Sequence, residues 1–405
     1  MHVLDNGLTV AVDPLPGAES VALGLYASVG SRSEPERLGG LAHLVEHMVF
    51  KGAGGRDTRA LAEVIEDVGG SLNAWTGRDQ TVFHGRALAR DLPLVAELIA
   101  DLVRAPHFDE EHLTREKQVI MSELGEAIDA PDDLVHDHLF ETAFVGQAIG
   151  RPVLGSEPSV QAVTRQECCD WLYQQFVPSR LVLAAGGKVD PAQLLGLAER
   201  LFDDMAPCDP PPVEPAHFTG GVRNDPRSFE QAHWCLAFSG LPASDPLQPA
   251  LGLFVQALGG GTSSRLFQEL REERGLAYSI YSWNQAFADT GLVGIGCAAE
   301  RRQAADSVRL AREVLAATAA GLTEAELNRS RAQVEAGLLM GLETAQGRAD
   351  HLARSIEVFG RILDLHELLE QIRAVTVHQA RAAGQALIHG PAAVASVGAK
   401  LALAA

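Results

Sequence analysis

The sequence predicts a protein of α/β or α+β character built from two related domains, and three observations predict it. The chain is 405 residues long, strand-like and helix-like periodicities alternate along it, and the same order of elements recurs in its two halves. A chain of this length exceeds the size at which one hydrophobic core keeps growing, so two domains of about 200 residues are expected. They divide at "MAPCDPPPVEPAHFTGG", whose prolines and glycines sustain neither a helix nor a central strand. The boundaries are therefore residues 1–205, a linker at 206–221, and residues 222–405.

In chain order, "GLTVAVD" and "VALGLYASVG" alternate as strands do, while "TRALAEVIEDVGG" places Leu61, Val64, Ile65 and Val68 at helical spacing before a glycine stop. A hairpin follows in "GSLNAWTGRDQTVFHGRAL", where T-G-R-D separates two β-rich runs. Residues 109 to 128 then read as a long helix, acidic at its start as the helix dipole prefers. The second half repeats this order at low identity: "AHWCLAFSGL", "GGGTSSRLFQELREERG", "LAYSIYSWNQ", "GLVGIGCA" and the helical "LTEAELNRSRAQVEAGLLMGL". The segment "GGGTSSR" lacks a Walker lysine and G-x-G-x-x-G spacing, so it reads as a glycine-rich helix start and not as a phosphate loop.

Lys and Arg number 33 against 53 Asp and Glu, a net charge of −20. Nucleic-acid backbones and anionic membrane surfaces would be repelled. No apolar run approaches the ~18 residues of a membrane span, so a soluble protein is expected. The five cysteines, Cys168, Cys169, Cys208, Cys235 and Cys297, show no C-x-x-C spacing and support neither a disulfide scaffold nor thiolate-held zinc. The opening "MHVLDNGLTV" has no signal-peptide pattern; with the free cysteines this favours the cytoplasm, the periplasm staying open if a leader was removed.

The chemistry concentrates in "GGLAHLVEHMVFKG", residues 39–52. On a helix His43 and His47 project from one face toward a common point, a geometry that suits a zinc ion with Zn–N distances of ~2.0–2.1 Å. Glu46 lies at the edge of that face, placed to act as a general base without ligating. The competing reading is two packing histidines on an amphipathic helix. A catalytic zinc usually takes a third protein ligand, and Asp, Glu, His and Cys are all eligible. The best candidates are Glu116 and Glu123, seven residues apart on the acidic helix and so on one face, one to ligate and one to orient; the alternative is a solvated charged face. Only the first half carries H-x-x-E-H, which points to one metal per chain.

The inverted order H-x-x-E-H is the inverzincin signature. With "GGSLNAWTGRDQTVF", "REKQVIMSELGE" and "SSRLFQELREERGLAYSIYS", the chain resembles the pitrilysin and mitochondrial-processing-peptidase group of zinc endopeptidases, and above all its bacterial processing-peptidase-like members. The resemblance implies a half clamshell of two homologous domains, each a mainly antiparallel sheet covered by helices. It implies His43, His47 and Glu123 as ligands of one Zn2+ per chain, Glu46 as general base and Glu116 as a helper. Asn73 and Ala74 would lie on the edge strand that pairs with an extended peptide. Arg271 and Tyr278 would donate to the oxyanion, within the chain or across a dimer; alternatively Tyr278 only packs in a strand.

The implied function is hydrolysis of peptides or unfolded segments inside a chamber closed by two chains, as a homodimer or with a related partner. An acidic chamber preferring basic peptides would follow from the net charge. The rival readings are a non-catalytic structural or partner subunit of such an assembly and a zinc-binding regulatory protein without turnover.

Overall fold

The computed structural model describes residues 1–402, which fall into two compact units. One comprises residues 1–124, 152–214 and 338–363; the other comprises 125–151, 215–337 and the chain from 364 on. The chain passes between them at Glu214 and Pro215, inside the expected linker. Neither unit is a continuous segment, however, because each takes in a stretch from the other half of the sequence. The early part of the linker is also pinned within the first unit: Arg32 donates to Glu214 O at 2.8 Å and Arg180 to Pro211 O at 2.6 Å.

The first unit contains β1 (His2–Val3), β2 (Thr9–Pro14) and β3 (Ser20–Ala27), a two-residue hairpin β4 (Gly52–Ala53) and β5 (Arg56–Asp57), then β6 (Ser71–Thr76), β7 (Thr81–Leu88) and β8 (Leu181–Gly187). Its six-stranded sheet has the order β1-β2-β8-β3-β7-β6, and only β2 and β8 run parallel. The central strands β3 and β8 are buried almost throughout, which explains why "VALGLYA" and "LVLAAGG" are continuous apolar runs. At the edge, β6 alternates exposed and covered residues.

Four helices of the first half matter for the site: α1 (Leu41–Val49), α2 (Thr58–Glu66), α3 (Leu92–Arg104) and α4 (Glu110–Asp129). Leu44, Met48, Leu98, Ile99 and Ile120 join Leu23, Leu25 and Leu183 in the main core. The opposite face of the sheet carries Ala11, Tyr26, Val82, Val182 and Ala184. It is covered by Leu352, Ala353 and Ile356 of the helix Ala345–Phe359.

The second unit's five strands are β9 (Gly221–Asp225), β10 (Gln231–Ser239), β11 (Ser279–Ala286), β12 (Gly291–Glu300) and β13 (Ala392–Val397). Their order is β11-β12-β10-β13-β9, and only β13 and β9 are parallel. The first unit's β6-β7-β3-β8-β2 has the same arrangement: the third, fourth, second, fifth and first strands of each set, with the fifth and first parallel. The recurrence read in the sequence is therefore a repeat of topology. Here the sheet is covered by α5 (Pro131–Ala143), whose Val135, Leu139, Phe140 and Ala143 pack on Cys235, Ala237, Ala393 and Ala395. The helix after α4 thus belongs to the second unit, and Ala345–Phe359, which holds the same place in the other half, belongs to the first. Among the described residues no helix is long and apolar enough to cross a membrane.

Candidate metal centre

The helix α1 begins where the chain turns sharply. Gly40 has φ +91°, and a Cβ at that position would sit 2.6 Å from Leu154 O, so both the backbone angle and the space require glycine. The first-turn donors are met by Glu34, whose carboxylate accepts from Gly40 N–H at 2.9 Å and from Ala42 N–H at 2.7 Å. A buried carboxylate at a helix N-terminus satisfies orphan donors and complements the dipole. With Leu41, Ala42, Leu44, Val45, Met48 and Val49 buried against the core, His43, Glu46 and His47 are left on the remaining stripe.

The two imidazoles stand edge to face with ring centroids 4.6 Å apart. Each turns its Nε2 toward Glu123: His43 Nε2 lies 3.8 Å from Glu123 Oε2, and His47 Nε2 lies 3.7 Å from Glu123 Oε1. One ligand atom from each of the three residues lies within 4.8 Å of the others. A tetrahedral zinc with bonds near 2.0–2.2 Å separates its ligand atoms by about 3.3–3.6 Å, so small side-chain movements would close this set on an ion. Glu123 Oε2 is buried and has no hydrogen-bond partner, which is costly for a carboxylate oxygen unless a cation completes it. The donor set of two imidazoles and a carboxylate suits zinc.

Burial and the proximity of His47 depress the His43 imidazole to about 4, so it is neutral at physiological pH with a lone pair available. On the other side of His47, Nδ1 lies 3.1 Å from Glu116 Oε2. A carboxylate in this kind of contact fixes the tautomer where a histidine ligates a metal. Glu116 and Glu123 share one face of α4, as their seven-residue spacing predicts, and Glu116 is buried beside Leu113 and Ile120. Glu46 does not face an ion-pair partner. Burial raises its carboxyl above the usual range, while the Thr76 side chain and His47 pull it down. Its Oε2 is buried and without a hydrogen-bond partner, a carboxylate oxygen free to take a proton.

Close by, α1 packs against β6, the edge strand whose outer side pairs with no other strand among the described residues. Asn73 is exposed there and Ala74 is buried, and Asn73 Oδ1 accepts from Ala74 N–H at 2.9 Å. On the inner side Asn73 and Ala74 pair with His84 and Phe83 of β7.

Residues 9–157 match the family described as Insulinase (Peptidase family M16), and residues 162–334 match the Peptidase M16 inactive domain. The chain belongs to the insulinase family. Relatives from Streptomyces coelicolor and Mycobacterium tuberculosis, both named as uncharacterized zinc proteases, are 34% identical over 389 residues and 35% identical over 410. These alignments take in 94% and 99% of this chain and 85% and 94% of the relatives. Among solved structures, a Helicobacter pylori protease superposes with a TM-score of 0.88 at 20% identity, covering 98% of both chains. A Pseudomonas fluorescens peptidase M16 inactive domain gives 0.87 at 22%, covering 100% of this chain and 98% of its own. These likenesses carry the fold, and the family places the chain among peptidase hydrolases of the zinc-protease type.

The insulinase-family resemblance also singled out Arg271 and Tyr278, and these lie in the second unit. Arg271 belongs to a π-helical stretch, Phe267–Glu273, and its guanidinium lies 5.0 Å from the Phe267 ring centroid and 5.9 Å from that of Tyr278. Tyr278 is 70% exposed, just before β11, so it is not a strand-packing residue. Three residues near the first-unit cluster were not singled out in the sequence: Glu34, Thr76 and Lys51, whose Nζ lies 3.0 Å from Glu116 Oε1. For Lys51 a signal existed, since positions 43, 47 and 51 continue one stripe at four-residue spacing. Glu34 had none, because its contact with α1 crosses an irregular turn.

Proposed function

We propose that this insulinase-family chain is a zinc-dependent endopeptidase acting on unstructured peptides. The observation that carries the reading is the buried, unpaired Glu46 Oε2 beside the converging ligand atoms of His43, His47 and Glu123. Zinc bound by these three residues supplies Lewis acidity, which makes water acidic near neutral pH and polarises a carbonyl. Glu46 takes the proton of the water that attacks the scissile carbonyl and returns it to the departing amine, so peptide and water give one carboxyl and one amine product. Glu116 keeps His47 oriented through Nδ1. The open edge of β6 offers backbone pairing to an extended segment at Asn73 and Ala74, which favours peptides over folded proteins. Arg271 and the exposed Tyr278 offer donors for the substrate's oxygen. Pairing with a second copy or a related chain belongs to the same reading.

The test compares wild type with Glu46→Gln for zinc content and for cleavage of an unstructured peptide. Near-stoichiometric zinc in both is expected, with turnover about 10²–10⁴-fold lower in the variant. Equal turnover would remove Glu46 as the base, and a zinc-loaded wild type that cleaves nothing would favour the non-catalytic subunit. Arg271→Ala is expected to lower turnover with its zinc intact.

A further inference from the structure

Lys51 follows α1, four residues beyond His47. Its N–H donates to Met48 O at 3.1 Å. The next residue, Gly52, has φ +141° and passes so close to His107 that a Cβ there would sit 2.5 Å from the ring Nδ1. The backbone on both sides of Lys51 is therefore fixed, and with it the origin of the side chain. From there Nζ reaches Glu116 Oε1 at 3.0 Å, while Glu116 Oε2 lies 3.1 Å from His47 Nδ1. Each oxygen of this buried carboxylate thus has one partner: the ammonium on one side, the imidazole on the other.

An exposed Lys–Glu pair would carry little weight. This one differs in two respects. The carboxylate is 7% exposed, so losing the ammonium would leave a buried charge half-satisfied. The same carboxylate also sets which ring nitrogen of His47 carries the proton. A carboxylate drawn to an ammonium at one oxygen keeps the other turned toward the imidazole, whereas one freed from that ion pair can rotate away from the ring.

We propose that Lys51 is a positioning residue of the metal centre. Acting through Glu116, it holds His47 with the proton on Nδ1 and with Nε2 turned toward Glu123. The proposal rests on the reading of His43, His47 and Glu123 as zinc ligands.

Two readouts test it. The first is the zinc dissociation constant, from competition with a chromogenic chelator, for wild type, Lys51→Met, Lys51→Arg, Glu116→Gln and the double variant Lys51→Met with Glu116→Gln. The second is the ring ¹⁵N spectrum of His47 in the metal-free proteins. Expected are zinc binding about 10-fold or more weaker in Lys51→Met and about 10–100-fold weaker in Glu116→Gln, near-wild-type binding in Lys51→Arg, and a double variant no weaker than Glu116→Gln alone. The His47 spectrum should show one tautomer in wild type and a mixture in Lys51→Met, a change that general loosening of the fold would not confine to one ring. Should Lys51→Met not fold, Lys51→Gln takes its place in both measurements. Unchanged affinity in the Met or Gln variant, or a loss that adds fully to that of Glu116→Gln, overturns the role of Lys51. A wild type that binds no zinc overturns the reading of the centre itself.

Discussion

The two units share one strand order and differ in what they do with the helix after the second strand. In the first, α1 meets α4 through His43, His47 and Glu123, whose atoms converge yet leave His43 Nδ1 and Glu123 Oε2 without hydrogen-bond partners. In the second, the helix Gln248–Gly259 carries no histidine or acidic residue, and Arg265 just beyond it closes on Glu326 at 2.6 and 2.8 Å. Arg265 also donates to Gly321 O at 2.6 Å, and the Arg265 contact holds the Glu326 carboxyl down at about 2. The same framework thus yields a saturated brace in one copy and an unsaturated cluster in the other. Convergence of ligand atoms that keep unpartnered buried lone pairs, more than the presence of charged residues, distinguishes the first copy.

The strongest way to break this comparison is to exchange its consequences. His47→Ala or Glu123→Ala should abolish stoichiometric zinc binding, a loss beyond the ~10–100-fold that outer residues cost, with the fold retained. Glu326→Ala should leave zinc content unchanged and lower stability by about 1–3 kcal/mol in urea unfolding, because Arg265 is left without its carboxylate. Zinc loss in Glu326→Ala would erase the distinction between brace and site.

A smaller effect sharpens the contrast between the two helices. Gly40→Ala should destabilise the protein by about 1–3 kcal/mol through its positive φ and the close Leu154 carbonyl. Gly252→Ala, inside the counterpart helix with nothing within 4 Å of a new Cβ, should be neutral or stabilise by about 0.5–1 kcal/mol.

Acid exposes a trait the units have in common. Burial holds His43 in the first and His138 in the second at about 4, below the ordinary value of 6.5. Between these values the unfolded chain binds protons that the folded one refuses, so stability is complete above about 6.5 and falls as pH drops toward 4. Each imidazole should contribute on the order of 2 kcal/mol in the metal-free protein. His138→Gln should flatten the decline in thermal midpoint without touching zinc affinity. The smallest effect is expected at the β6 edge, where Asn73→Ala should raise KM about 2–10-fold, equivalent to one hydrogen bond, with zinc content unchanged.

Much of this was legible in the sequence. The i, i+4 histidines, the seven-residue spacing of Glu116 and Glu123, the hairpin, and the recurrence of elements all follow from local periodicity, and the structure has each of them. Strand order was not legible, because pairing β8 between β2 and β3 joins residues about 170 apart. Nor was the membership of α5 and Ala345–Phe359: an amphipathic pattern tells that a helix buries one face, not which sheet receives it. Glu34 was hidden for a related reason, since a cap reaching across a glycine turn leaves no periodic trace.

The exchange of those two helices has a practical consequence for anyone dissecting the protein. A chain stopped at residue 205 lacks Leu352, Ala353 and Ile356, and would bare Ala11, Tyr26, Val82, Val182 and Ala184 on one side of its sheet. It would also drag along α5, stripped of the strands on which Phe140 and Leu139 pack. The proline-rich stretch near the midpoint looks like the place to cut, yet neither half severed there would be self-sufficient. Co-expressed halves, each supplying the helix the other needs, are the pair expected to restore a folded protein.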